Sequence, residues 1–87
     1  MTAYRPACHV AVEQRGDAVY IARLPDGPII VLEGTSALIW MEACSPAPGE
    51  VADRVADQVD RDAAEIAADV ERFVQDLVAQ GLLREAA

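Results

Sequence analysis

One stretch decides the fold of this chain: Pro28-Ile29-Ile30-Val31-Leu32-Glu33-Gly34-Thr35-Ser36-Ala37-Leu38-Ile39-Trp40. Its first half is a short β-branched and aliphatic run that follows a proline, which is typical of a strand. In its second half, Thr35 or Ser36 can cap a helix whose apolar side begins at Leu38. Strand patterns precede this stretch and helix patterns follow it. The sequence therefore predicts a small sheet followed by helices.

Three strands are predicted before the helices, and they cover residues 8–13, 18–24 and 29–33. The first turn contains Gly16 and Asp17, and the second is Pro25-Asp26-Gly27-Pro28, in which proline presets φ and glycine accepts a positive φ. Strands joined by such short turns form an antiparallel meander. The third strand is then an edge, where Pro28 is tolerated because no partner needs its missing N–H.

Three helices are predicted after the strands, over residues 36–43, 48–59 and 62–80. The second helix carries Val51, Val55 and Val59 on one face. Asp62 followed by Glu65 is a capping box for the third helix, and Gly81 is suited to end it. Leu82 and Leu83 are then expected to fold back onto the core.

The third helix has a wide apolar face. On a helical wheel its apolar residues cover an arc of about 140°, whereas a surface helix needs only about 100°. These residues are Ala63, Ile66, Ala67, Val70, Phe73, Val74, Leu77 and Val78. The surplus predicts that one margin of this helix covers something besides the core.

Length and composition predict one domain over residues 1–87, with 53% hydrophobic residues. Fifteen acidic residues against seven arginines and no lysine give a formal charge of −8. The arginines are scattered singly, whereas a DNA-binding domain needs a clustered basic face. A basic or apolar peptide is therefore a more plausible partner than nucleic acid.

Residues that could support catalysis or metal binding are few. Cys8 and Cys44 have no metal or redox spacing, and His9 is the only histidine. His9 is expected in the first strand in a structural or solvated role, Cys44 as a small buried residue, and Trp40 as a core anchor. The sequence therefore predicts a binding module that is not an enzyme and has no cofactor and no metal. Without a signal peptide or a membrane-spanning run, we expect a cytoplasmic location and reduced thiols.

The junction Leu32-Glu33-Gly34-Thr35-Ser36-Ala37-Leu38-Ile39-Trp40 resembles the corresponding segment of the PqqD-like family. The run from Ala68 to Leu83 resembles that family's ending, in which an acidic residue, Val, Phe, Leu and Gly-Leu-Leu recur at fixed spacing. The resemblance extends over about residues 8–84. One departure is Glu33-Gly34, where the family usually has Asn and a turn residue.

The resemblance implies an α+β fold: a winged helix-turn-helix with a three-stranded antiparallel sheet followed by three helices. It also implies a role in recognising the leader segment of a ribosomally made precursor peptide. A free-standing domain of this size is similar to the leader-binding subunit of lasso-peptide pathways, whose partner is a separate cysteine protease. It is also similar to the carrier of quinone-cofactor biosynthesis, whose partner is a radical enzyme. The lysine-free, Ala- and Arg-rich composition favours the lasso case.

An edge strand offers unpaired backbone groups to which an extended peptide can add. Ile30 and Leu32 are expected to face the helices, although the sequence leaves open which backbone groups of the strand point outward. Asp69 and Asp76 could hold a basic residue of the peptide and Arg72 an acidic one. The candidate peptide-binding residues are Ile29, Ile30, Val31, Leu32, Glu33, Asp69, Val70, Arg72, Phe73, Asp76 and Leu77. The apolar members among them fit the core equally well.

Two other functions are compatible with this fold. A DNA-binding winged helix shares the architecture, because a fold does not determine function. Its recognition helix would be the second or third helix, yet both are rich in acidic residues. The chain could also be an interaction subunit of an enzyme complex without peptide specificity.

Overall fold

A computed structural model describes residues 3–45 and 49–86. Its elements, in chain order, are β1 (Ala3–Pro6), β2 (Val10–Arg15), β3 (Ala18–Arg23), β4 (Ile29–Leu32), α1 (Thr35–Ala43), α2 (Val51–Val59), α3 (Ala63–Ala79) and β5 (Leu83–Ala86). The architecture is α+β, with a three-stranded antiparallel sheet followed by three helices. Within the described residues, no helix is long and apolar enough to cross a membrane.

The three predicted strands correspond to β2, β3 and β4, which form an antiparallel sheet in that order. Gly16 and Asp17 form the two-residue turn between β2 and β3, and Gly16 has the positive φ of 56° that such a turn uses. In the next turn, the Gly27 N–H donates to the Arg23 carbonyl, and a Cβ at Gly27 would lie 2.5 Å from that of Arg23. Only glycine fits so close an approach.

The start of the first predicted strand was placed too early. Cys8 and His9 lie in a turn, and β2 begins only at Val10. The turn is closed by a hydrogen bond from the Val10 N–H to the Ala7 carbonyl. The prediction that His9 lies in a strand was therefore wrong. It failed because alternation of apolar and polar residues does not distinguish an extended strand from such a turn.

The helices agree with the predicted ones apart from their starts. Gly34, with φ of 60°, occupies the cap position of α1, so neither Thr35 nor Ser36 caps this helix as predicted. Thr35 is already its first residue. Helix α2 begins at Val51, two residues after Gly49 and later than predicted, and the predicted start at Pro48 lies outside the described residues.

Helix α3 has both of its predicted end signals. The Asp62 carboxylate accepts a hydrogen bond from the Ala64 N–H at 3.1 Å, which caps the N-terminus. At the other end, Gly81 has φ of 76° and its N–H donates to the Val78 carbonyl, while the Leu82 N–H donates to that of Leu77. This pair of bonds is a Schellman motif, and it turns the chain back towards the core.

The pairing of the first and last described strands was not predicted from the sequence. Strands β1 and β5 form a separate two-stranded antiparallel sheet in which Tyr4 lies opposite Glu85 and Pro6 opposite Leu83. A further bond joins the Ala7 N–H to the Leu82 carbonyl. Each strand has only four residues, and Tyr4 is the only one of them with a strong strand propensity, so the tertiary contact is needed to reveal the pair.

The core lies between the inner face of the three-stranded sheet and the helices. Val19, Ile21 and Leu32 from the sheet are buried with Trp40 from α1, which confirms the role predicted for this tryptophan. The remaining buried residues are Ala37, Ile39, Ala43, Val51, Val55, Ala56, Ile66, Val70, Val74, Leu77, Leu82 and Leu83. The fold-back predicted for Leu82 and Leu83 is thus confirmed.

Candidate functional site

Strand β4 is an edge of its sheet, as predicted, and its register with β3 defines which backbone groups are open. The Arg23 N–H donates to the Pro28 carbonyl at 3.4 Å, so these two residues form a hydrogen-bonded pair. Bonded and non-bonded pairs alternate along an antiparallel ladder. Since Ile30 lies opposite Ile21, it belongs to the next bonded pair and turns its backbone groups towards β3. The backbone N–H and C=O groups of Val31 therefore point out of the sheet.

A hydrogen bond on the opposite side of β3 agrees with this alternation. The Leu24 N–H donates to the His9 carbonyl at 2.7 Å, towards β2. Consecutive residues of a strand direct their backbone groups to opposite sides, so Arg23 must face β4. Both ladders thus give the same assignment. Ile29 and Val31 carry the open backbone groups of the edge, and Ile30 and Leu32 carry the paired ones.

The side chains of β4 divide in the same way. Leu32 is buried and Ile30 half-buried, and both face the helices, as predicted. Ile29 is 67% exposed and Val31 45% exposed, on the outer face of the sheet. Glu33, which follows the strand, is exposed. The continuous apolar run of β4 therefore covers the core with one half and faces solvent with the other.

The candidate residues on α3 fall into three groups. Val70 and Leu77 are buried core residues, and Phe73 is half-buried against the core. The charged residues Asp69, Arg72 and Asp76 are exposed. Phe73 and the three charged side chains are thus accessible to a partner, whereas Val70 and Leu77 have almost no surface to offer without movement.

Arg23 connects the sheet to the end of α3. Its guanidinium donates a hydrogen bond to the backbone carbonyl of Gln80, which follows this helix. Because Arg23 lies opposite Pro28, the contact places the C-terminal end of α3 near the start of β4. Among the described elements, α3 packs chiefly on α2 and less on β5 and α1, and its close backbone contacts with β4 are few at most.

A cavity of about 250 Å³ lies elsewhere, between β1, the start of α2 and α3, and it was not predicted. Tyr4 lies in its wall, together with the carboxylates of Glu50, Asp53 and Glu71. Burial, followed by the charges of Glu85, Glu71 and Glu50, raises the pKa of Tyr4. The acidic residues are visible in the sequence, but Tyr4 in the cavity wall belongs to β1, a strand that was not predicted.

Groups suited to covalent or metal chemistry are few in the part of the chain that the structure describes. Cys8 and Cys44 are free thiols, and burial raises the pKa of the half-buried Cys44 to about 11. A thiol with so high a pKa is almost wholly protonated near neutral pH and is a poor nucleophile. Residues 3–45 and 49–86 contain no group of His, Cys, Asp or Glu side chains arranged to hold a metal ion.

Comparison with known proteins gives one informative match. No curated protein matches this chain significantly, and no solved structure does. A family model described as coenzyme PQQ synthesis protein D (PqqD) matches residues 8–83, from the turn before β2 to the start of β5. The matched segment contains β4, α3 and every candidate site residue. On this match, the chain belongs to the PqqD family.

Proposed function

We propose that this chain binds the leader segment of a ribosomally synthesised precursor peptide in the cytoplasm and presents it to a separate modifying enzyme. The observation that carries the proposal is the open edge of β4, where the backbone groups of Ile29 and Val31 point out of the sheet. An extended peptide adds to such an edge as a fourth strand. Membership of the PqqD family supports a peptide-binding partner protein of a biosynthetic enzyme.

Backbone pairing alone does not give a selective complex. Each hydrogen bond contributes a net free energy of about 0.5–1.5 kcal/mol, and it is formed with any peptide sequence. Side chains must therefore supply selectivity. Phe73 is the largest partly exposed apolar residue on α3, and Asp69 and Asp76 provide negative charge for a basic residue of the leader.

The partner enzyme in this proposal is a cysteine-protease-like maturation enzyme of a lasso-peptide pathway. The second candidate is the radical enzyme of quinone-cofactor biosynthesis, which the description of the matching family favours. Purified enzyme of each class, mixed with the chain and its leader peptide, separates the two. Only the true partner is expected to bind the loaded chain more tightly than the empty one.

We further propose that α1, α2, α3 and the sheet form a winged helix-turn-helix that binds peptide and not DNA. The net charge of −8 repels phosphates. Arg15, Arg54 and Arg61 each lie within 4.0 Å of a carboxylate oxygen, so part of the positive charge is already neutralised. We expect no measurable binding of duplex DNA at physiological salt in a gel-shift assay. Sequence-selective, sub-micromolar binding would instead favour a DNA-binding regulator.

Titration of the precursor leader by fluorescence anisotropy tests the proposed function. The precursor is identified as a short open reading frame beside the gene for this chain. We expect sub-micromolar to micromolar affinity and no turnover of the peptide by the isolated chain. A folded chain that does not bind its leader would contradict the proposal.

A further inference from the structure

The two residues with open backbone groups on β4 are also the two with outward side chains. Ile29 and Val31 are β-branched aliphatic residues, and 67% and 45% of their surfaces are exposed. In an antiparallel sheet with one solvated face, polar residues normally occupy such positions. The core does not require apolar residues at Ile29 and Val31, because Ile30 and Leu32 already fill the inner face of this strand.

The neighbouring residues extend this apolar surface across the sheet. Val31 lies opposite Tyr20 of β3, which is 36% exposed. Ile29 lies opposite Ala22, and Ala22 lies opposite Ala11 of β2. The two small alanines leave a hollow of about 370 Å³ between larger neighbours. At its rim, Glu13 and Arg15 form an ion pair with an N–O distance of 3.1 Å, which leaves the hollow with little net charge.

The size of this outer face limits what can cover it. Three strands about 4.8 Å apart and four to six residues long present roughly 300 Å². A stable dimer buries about 800 Å² on each partner. A second copy of the chain would therefore gain too little from this face alone. A strand added at β4, by contrast, is already held by its backbone bonds and needs only a small additional area.

We propose that the outer face of the sheet selects the leader peptide through apolar side chains at two alternate positions, i and i+2. This inference rests on the proposed function, because it takes the added strand at β4 as given. Any strand paired with β4 places the residues opposite Ile29 and Val31 on the outer face, with Cβ atoms about 5 Å from those of their partners. Large apolar side chains there cover Ile29 and Val31, and the one beside Ile29 leans towards the hollow. The peptide is thus recognised on both faces: on the inner face from α3 and on the outer face from β4.

The test uses a phage-displayed library of random 16-residue peptides as the probe, selected on the full chain. Selected peptides are synthesised with a fluorescein label, and their affinities are measured by anisotropy. The double variant Ile29→Thr/Val31→Thr keeps the β-branched shape and removes apolar groups from the outer face. We expect its Kd to rise about tenfold, since apolar contact area is lost at two positions. Val12→Thr is the control for losing an exposed apolar side chain away from the outer face, because Val12 is 39% exposed and lies opposite Ile21, on the inner face of β2. The Kd of this variant should stay within about twofold of wild type.

The peptide side gives a second readout. Selected peptides should share large apolar residues two positions apart, and replacing both by serine should weaken binding to wild type. The same serine replacements should hardly change the affinity of the peptide for the double variant, because this variant already lacks the apolar side chains of Ile29 and Val31. Peptides without this alternation would overturn the inference.

Three further results overturn the inference in distinguishable ways. If Val31→Pro abolishes binding while Ile29→Thr/Val31→Thr binds with full affinity, the outer face does not select the peptide, and the proposed function stands. If Val31→Pro binds as wild type, the peptide does not add to β4, and the proposed function fails as well. A dimer in analytical ultracentrifugation that the double variant dissociates would assign the face to a second copy and also overturn the inference.

Discussion

Both faces of the three-stranded sheet carry apolar side chains, but the helices cover only the inner one. On the inner face, Val19 and Ile21 of β3 are completely buried under the helices. On the outer face, Tyr20 alternates with them and is exposed beside Val31 of β4. An antiparallel sheet needs only one apolar face in order to fold. The comparison indicates that the inner face stabilises the chain and that the outer face and its edge are available for a partner.

The sharpest test of this comparison is a pair of adjacent proline substitutions in β4. Ile30→Pro removes an N–H that pairs with β3, so it should destabilise the sheet strongly. Val31→Pro removes an N–H that points out of the sheet, so the thermal midpoint should stay close to wild type while leader binding is lost. Thermal unfolding followed by circular dichroism, with leader titration, measures both effects. Equal destabilisation by the two prolines would show that the assignment of open and paired backbone groups is wrong.

A second test applies one substitution to both faces. Ile21→Ala creates a cavity in the core and should lower the free energy of unfolding by about 2–5 kcal/mol. Ile29→Ala removes a side chain that is 67% exposed, and its effect on stability should be within about 0.5 kcal/mol. Urea denaturation gives both values. A large loss of stability in Ile29→Ala would mean that the outer face contributes to folding, contrary to the comparison.

Phe73→Ala tests a half-buried residue, which is intermediate between the buried core and the exposed surface. Truncating a fully buried phenylalanine lowers the free energy of unfolding by about 3–5 kcal/mol. For the half-buried Phe73, we expect a decrease of about half that size. Leader affinity should fall as well, because Phe73 is the largest partly exposed apolar side chain on α3. The measurement must be made well below the thermal midpoint, so that the variant is folded. Unchanged affinity in the folded variant would restrict Phe73 to the core.

The smallest effect on stability is expected from reversing charge on α3. Asp69→Arg and Asp76→Arg alter exposed side chains and should change the free energy of unfolding by only about 0.5 kcal/mol. Leader affinity should nevertheless decrease, because a positive charge would then meet the basic part of the peptide. The decrease should be reduced at high salt, which screens exposed charges. Full affinity in both variants would remove these carboxylates from the site.

Much of the fold could be predicted because its signals are local. Asp62 caps α3 and Gly81 ends it, and both act through hydrogen bonds to residues two to five positions away. The order of strands and helices follows from the change of hydrophobic period around Gly34. Gly34 itself was missed as the cap of α1, since the pattern gave preference to the hydroxyl side chains that follow it.

The candidate site was predicted less completely. The sequence singled out the apolar residues of β4 and α3 but could not divide them between core and surface. Val70 and Phe73 lie one turn apart on the same side of α3, yet one is buried and the other half-buried. That division depends on how far each side chain lies from the neighbouring elements, which local periodicity does not specify.

By itself, the sequence determined much of the local structure of this protein: three of its five strands, its three helices, the glycines that end some of them, and the acidic charge. The tertiary structure alone decided three things. It paired β1 with β5 across almost the whole chain, it set the register that leaves the backbone of Val31 open, and it left one apolar face of the sheet uncovered. The physical reason is that hydrogen-bond parity and burial are properties of pairs of elements, and one strand's residues do not specify which neighbour lies on which side.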